Sequence, residues 1–304
     1  MDHYDVLVVG PFSVDVIFSS IPRLPNLGEE VYCGDFEFTC GASYNVAVAL
    51  ARLGLKVTVA APLGNDFLSS FILENLKKEG VNTEHIVHLD KPLRTLSVAL
   101  NYDGDRSFIS YEDKINDFDY QGYINSVVNK VSARALYISL NENAVSIVES
   151  AKNKNWLIFQ DVGWDEEWLQ EVKLQQLVSA GDYFLPNLKE ALIMTNEHTI
   201  ESALDQLNTF NTKGVTIIKL GEDGAIFKSG NTKQMVPTTK KQVMDTTGAG
   251  DVFVAGVMTG ILKGYCLSES IQLGNFCGGC SVQGLGGTKC SPTWDQVIEE
   301  LRLQ

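Results

Sequence analysis

The sequence predicts an α/β fold: a doubly wound, mostly parallel central sheet with a small β-sheet lid. Three observations lead there. Val6-Leu7-Val8-Val9-Gly10 is a continuous apolar run, the pattern of a strand buried on both faces of a parallel sheet. Ala135 to Leu140, Trp156 to Asp161, Tyr183 to Leu185 and Val215 to Leu220 read as strands separated by helical stretches, the βαβ rhythm of a doubly wound sheet. Thr95 to Tyr102 and Arg106 to Tyr111 flank Asp103-Gly104, the pattern of a hairpin with a primed turn, and a hairpin has no place inside that alternation. With one or two strands expected between Glu29 and Phe38, it forms a separate small sheet that covers the carboxyl edge of the main one and excludes water. The expected division is residues 1–12, 41–93 and 113–304 for the α/β body, and 13–40 and 94–112 for the lid.

A chain of 304 residues with 44% hydrophobic composition can bury a large core. Its formal charge of −14, with no basic stripe to offset it, argues against nucleic acid or an anionic membrane as partner. Met1-Asp2-His3-Tyr4-Asp5 lacks the basic region of a secretory signal. The longest apolar stretch, Val46 to Leu63, is broken by Arg52 and Lys56, so no membrane span is expected and a cytoplasmic protein is. The six cysteines need no disulfide framework; Cys277 and Cys280 have no second pair or nearby His to complete a zinc set and read as buried thiols on a helix.

In chain order, Asp15 is expected beyond the carboxyl end of the first strand, where open α/β sheets bind ligands; a solvated turn acid is the alternative. Pro22, Pro25 and Gly28 exclude regular structure around them. Gly41 to Asn45 opens a helix with Val46, Ala49, Leu50 and Leu53 on one face, closed by Gly54. Asp66 starts the next helix, which Lys77, Lys78 and Gly80 end. Asp161 falls at a strand end. So do Asn187 and Glu190, which share a face at a helix start; they could hold Mg²⁺ directly or through water, or form an N-cap and capping box. Gly221 and Gly224 permit close backbone approach to a ligand or form a surface turn. Leu267 to Val282 and Thr293 to Leu301 are the closing helices.

The densest signal is Asp245-Thr246-Thr247-Gly248-Ala249-Gly250-Asp251, just ahead of the apolar helical run Val252 to Met258. Small residues there leave helix N-terminal amides open to an anion, and Asp251 lies beside them as a potential base, a combination suited to phosphoryl transfer. Taken alone, the same residues also describe a capped turn in which Asp251 complements the helix dipole.

Together these residues resemble the PfkB (ribokinase-like) carbohydrate kinases over nearly the whole chain. Asp245 to Phe253 is similar to that family's C-terminal signature. Gly41 to Asn45, with Ala47, Ala51 and Leu53-Gly54, is similar to its N-terminal signature, and Asn187-x-x-Glu190 to its Mg²⁺-associated motif. The resemblance implies a ribokinase-like fold and an ATP-dependent kinase for a small sugar. Asp251 would then be the base, and the amides of Ala249, Gly250 and Asp251, freed by Gly248, would stabilise the transferring phosphoryl group. Asp15, Gly41 and Asn45 would bind the sugar. Asn187 and Glu190 would organise Mg²⁺, Glu190 through water. Gly221, Gly224 and Asn275 would border ATP, and Asp245 would be a K⁺ ligand. Cys40-Gly41 stands where the family usually has Gly-Gly, and Tyr44 replaces a small residue. Ala42 replaces the Lys frequent in sugar-phosphate kinases, which favours a neutral acceptor, although Arg94, Arg106 or Lys114 could supply charge from the lid. Tyr44, Trp164 and Trp168 stack on a ligand or pack the core. A nucleoside or sugar-phosphate kinase and a catalytically silent sugar-binding homologue are the rival readings. Gly10-Pro11-Phe12-Ser13 lacks the fingerprint of a dinucleotide site. The lid's sheet edges imply a homodimer through the lid.

Overall fold

The computed structural model describes residues 3–102 and 105–301. Among them, eight strands form the central sheet in the order Thr232–Val236, Ala225–Ser229, Val215–Lys219, Tyr183–Phe184, Leu157–Asp161, Ser132–Ser139, His3–Val9, Val57–Ala60. The run from Val215–Lys219 to Val57–Ala60 is parallel, and the first two strands are antiparallel additions at one edge. Those two, and Val57–Ala60, are not among the strands expected from sequence; the others are where the alternation places them.

Strand period 2 divides the apolar runs between two cores. Val6 and Val8 enter the core that holds the helices Ser43–Arg52 and Ala249–Lys263. Leu7 and Val9 enter the core on the opposite face, with Ile124, Ile147, Leu177 and Leu204. Phe159 and Ile158 divide in the same way, as do Ile217 and Ile218. An unbroken apolar strand therefore marks a sheet sandwiched between two helical layers.

The helix starts follow their sequence signals. Asp66 accepts hydrogen bonds from the amides of Leu68 and Ser69, and the helix Phe67–Lys78 ends in Lys77 and Lys78 before Gly80. Gly54, at φ +81°, closes the helix Ser43–Arg52.

The small sheet has the order Asp35–Ala42, Phe12–Ser19, Thr95–Tyr102, Asp105–Glu112. Thr95–Tyr102 and Asp105–Glu112 pair antiparallel as a hairpin; the expected turn at Asp103-Gly104 lies outside the described residues. Three placements differ from the sequence reading. Asp15 lies beyond the first strand, as expected, but buried inside a second strand, Phe12–Ser19, rather than as a solvated turn acid. That strand, parallel to Thr95–Tyr102, separates the hairpin from the other lid strand. The latter runs Asp35–Ala42 rather than from Glu29, so Gly41 and Ala42 end a strand and the helix begins at Ser43. Phe12, Val14, Val16, Ile17 and Phe18 give Phe12–Ser19 strand propensity that Asp15 and the two serines do not outweigh.

Candidate active site

Asp251 occupies the first turn of the helix Ala249–Lys263, at the carboxyl edge of the sheet. Gly248 precedes it at φ +70°, and a Cβ there would lie 2.6 Å from Gly287 Cα and 2.8 Å from Asn45 Nδ2. Both conformation and space thus require glycine. No side chain caps this helix, and the amide of Ala249 donates to Thr246 O at 3.2 Å. The open anion site therefore centres on Gly250 and Asp251, whose amides have no acceptor one turn back, rather than on all three expected amides.

The loop leading into this helix is braced by Asp245, which is 2% exposed. Its Oδ1 accepts from Thr247 N at 3.0 Å and Thr247 Oγ1 at 2.8 Å, and from Asn101 Nδ2 of the lid at 3.3 Å. Its Oδ2 accepts from Gly286 N at 2.9 Å. One carboxylate joins the lid, the signature loop and the loop 284–288.

Asn45 donates from Nδ2 to Asp251 Oδ2 at 2.9 Å, while its buried Oδ1 has no partner. Asp15, buried in the lid, accepts from Ser13 Oγ at 3.0 Å. Gly41 lies against it: a Cβ would stand 2.1 Å from Asp15 Oδ2. Burial pushes the Asp15 carboxyl up to about 6, against the Ser13 hydrogen bond and with help from Asp245. Asp251 is pushed up to about 7, first by burial; the Asn45 hydrogen bond and Lys219 oppose this, and Asp161 and Asp15 add to it.

On the other side of Asp251 opens a cleft of about 500 Å³, lined by Asn187, Glu190, Gly221, Gly224, Asn275 and the segment 248–251. Asp15, Gly41 and Asn45 are outside this lining. Asn187 and Glu190 form a reciprocal capping box: Glu190 N donates to Asn187 Oδ1 at 2.9 Å, and Asn187 N to Glu190 Oε2 at 2.7 Å. The capping reading is thus realised, and Glu190 still faces the cleft. Burial lifts the Glu190 carboxyl to about 7, opposed by Lys219 and assisted by Asp161. Asn275 lines the cleft, and its Nδ2 donates to Val236 O at 2.9 Å and Pro237 O at 3.3 Å.

One cleft residue was not singled out in the sequence. Lys219 ends the strand Val215–Lys219, and its ammonium donates to Asp161 Oδ2 at 2.8 Å, with side chains 13% and 6% exposed. Burial raises Asp161 against the pull of Lys219. Burial alone lowers Lys219, but Asp161 and Glu190 outweigh it and hold the ammonium above its usual range. The available signal was a lysine ending an apolar strand at the sheet edge where Asp161 and Asn187 also fall.

Among the described residues no group of three or more His, Cys, Asp or Glu could hold a metal ion. The donor set fits a hydrated divalent cation carried on phosphates, met by one carboxylate, rather than a caged one. Among the described residues, no helix is long and apolar enough to cross a membrane.

The model of the pfkB family carbohydrate kinases matches residues 5–294. The 2-dehydro-3-deoxygluconokinase of Bacillus subtilis is 29% identical over 286 residues, covering 87% of this chain and 86% of the relative. The ribokinase of Lactococcus lactis is 27% identical over 303 residues, covering 98% and 97%. A solved structure of Arabidopsis thaliana ribokinase with ribose and ATP superimposes with a TM-score of 0.81 at 21% identity, covering 100% of both chains. The chain belongs to the pfkB family of carbohydrate kinases and is a phosphotransferase that acts on a sugar hydroxyl.

Proposed function

We propose that the protein transfers the γ-phosphoryl group of MgATP to a hydroxyl of a small neutral sugar, with Asp251 as the base. The observation that carries this reading is the Asp251 carboxylate, held by Asn45 and set beside open helix amides between a buried acceptor-side acid and a cleft of nucleotide size. Phosphoryl transfer needs alignment and charge neutralisation more than covalent help.

In this reading the lid-side groups Asp15 and Asn45 accept and donate hydrogen bonds to sugar hydroxyls, and Gly41 leaves the space. The unpartnered Oδ1 of Asn45 is an acceptor for one of those hydroxyls. Gly248, Ala249 and Gly250 shape the anion site, of which Gly250 and Asp251 give the amides. Gly221, Gly224 and Asn275 border the nucleotide. Mg²⁺, when bound, neutralises the phosphate oxygens, and Asn187 and Glu190 hold its waters. Asp245 gives its Oδ1 to three of the chain's own donors but its Oδ2 to one, so in this reading an Oδ2 lone pair is left to face a K⁺ ion near this loop.

Asp15, Asp245 and Asp251 gather on the acceptor side, where a phosphate or carboxylate on the substrate would meet like charge. This favours a neutral sugar over a sugar phosphate. The small sheet acts as a lid on the body, and two lids pack in a homodimer in a cytoplasmic setting where MgATP is supplied. ADP release measured with MgATP over a panel of neutral sugars, sugar phosphates and nucleosides tests the reading. Turnover on neutral sugars supports it. Preference for phosphorylated sugars or nucleosides replaces the acceptor, and no turnover on any acceptor leaves a silent homologue.

A further inference from the structure

Lys219 is the group whose place in the fold the chemistry above does not use. Its ammonium sits at the carboxyl end of a central strand, deep in the cleft, on Asp161 Oδ2 at 2.8 Å. It faces three acids: Asp161 by contact, and Glu190 and Asp251 by charge. A Cβ built on Gly250 would lie 3.4 Å from Lys219 Nζ, which places the ammonium beside the amides that open the helix Ala249–Lys263. A lysine has three donors on its ammonium and here uses one on a carboxylate.

Two accounts compete. Lys219 could simply neutralise a buried Asp161, since a lone carboxylate there would be costly. That account does not need the ammonium to be turned toward Gly250, nor to border a cleft of about 500 Å³. Asp161 is also held from its other oxygen by Val162 N at 2.9 Å, so the carboxylate is fixed and serves as a rigid mount.

We propose that Lys219 is a catalytic residue that contacts the γ-phosphoryl group, with Asp161 as its positioning residue. This rests on the kinase reading above and adds a group to it. Transfer breaks the bond between the γ-phosphorus and the bridging oxygen, whose electron pair leaves on ADP. The acceptor oxygen forms the new bond and gives its proton to Asp251. Throughout, the spreading negative charge on the γ-phosphoryl oxygens lies between the Gly250 and Asp251 amides and the Lys219 ammonium. The Asp161 contact keeps the ammonium charged and aimed before the nucleotide arrives, so little reorganisation accompanies transfer.

Lys219→Met, Lys219→Arg and the double variant Lys219→Met with Asp161→Asn test this, each checked for folding by circular dichroism. The double variant removes both charges of the contact pair, so Asp161 is not left as a buried carboxylate without its ammonium, as it is in Lys219→Met alone. Affinity for the non-hydrolysable analogue AMP-PNP and for ADP is measured with Mg²⁺ by calorimetry, alongside kcat and KM for ATP. The expected result for the double variant is a kcat reduced by about 100-fold or more. AMP-PNP binds it more weakly than it binds wild type, ADP affinity is unchanged, and Lys219→Arg is partly active. Recovery of the double variant to within a few-fold of wild type, or an equal loss of AMP-PNP and ADP affinity, overturns the proposal in favour of a purely structural ion pair. The binding arms need no acceptor, so a wild-type protein that binds AMP-PNP but phosphorylates nothing would sink the proposed activity and leave the phosphate contact standing or falling by its own result.

Discussion

Asn45 Nδ2 and Asp251 Oδ2 lie 2.9 Å apart, although 206 residues separate them in the chain. The donated hydrogen bond favours the charged carboxylate and opposes the burial that raises it to about 7. A base must be unprotonated to work, so kcat/KM should fall as pH drops through about 7. Asn45→Ala removes the opposing contact and should move that acid limb to higher pH in a pH–rate profile. A limb shifted the other way, or unmoved, would show that Asn45 does not set the ionisation of Asp251.

Asp251→Asn removes the proposed proton acceptor while keeping shape. It should lower kcat by about 10³-fold with nucleotide affinity retained, as read by steady-state kinetics and calorimetry. Near wild-type turnover would refute the role of this residue.

The same acid has a cost in stability. Its folded value of about 7 lies above the ordinary aspartate value of 3.8, so the folded protein binds this proton more tightly than the unfolded chain. The favourable contribution is complete below about 4 and is lost as pH rises through 7. Glu190, at about 7, and Asp15, at about 6, act in the same direction. Asp251→Asn should therefore raise Tm at pH 8, with a gain that shrinks toward pH 5 in thermal scans.

Gly41→Ala places a methyl carbon 2.1 Å from Asp15 Oδ2. The carboxylate must move, and misplacing a substrate-orienting group by about 1 Å costs up to 10²-fold. We expect KM for the acceptor to rise by at least about 10-fold and KM for ATP to hold, in kinetics with each substrate varied.

The lid strand Asp105–Glu112 carries exposed Phe108, Ile109 and Tyr111 at one edge of its sheet, and Phe36 is exposed on the strand at the other. Sedimentation at micromolar concentration should show a dimer, and Ile109→Glu should shift it toward monomer. A wild-type monomer would refute pairing through the lid.

The body of the fold was readable because each buried strand declares itself locally: Val6 to Val9 must face two cores, and only an unbroken apolar run does so. The signature loop was readable because its backbone needs are written in residue type, as at Gly248. The lid was less so. Phe12–Ser19 follows the first strand with only Gly10 and Pro11 between them and no helix, and the strands Ala225–Ser229 and Thr232–Val236 likewise carry no helix between them to set a rhythm. The Asp245 clasp on Asn101 and Gly286 spans 144 and 41 residues, and no local pattern records such a meeting. Lys219 was hidden for the same reason: its partner Asp161 is 58 residues away.

In the proposed reading the acceptor contacts and the transfer chemistry come from different parts of the fold. Asp15 and Gly41 belong to the small sheet, whereas Lys219 ends a strand of the large one and Asp251 and Glu190 open helices beside it, with Asn45 in the helix that follows the small sheet's strand Asp35–Ala42. A change of sugar can therefore be written into the lid strands alone, by substitutions or by a new turn, while the machinery that cleaves ATP stays as it is. Such a chain can acquire a new substrate by small steps, each of which starts from a working enzyme.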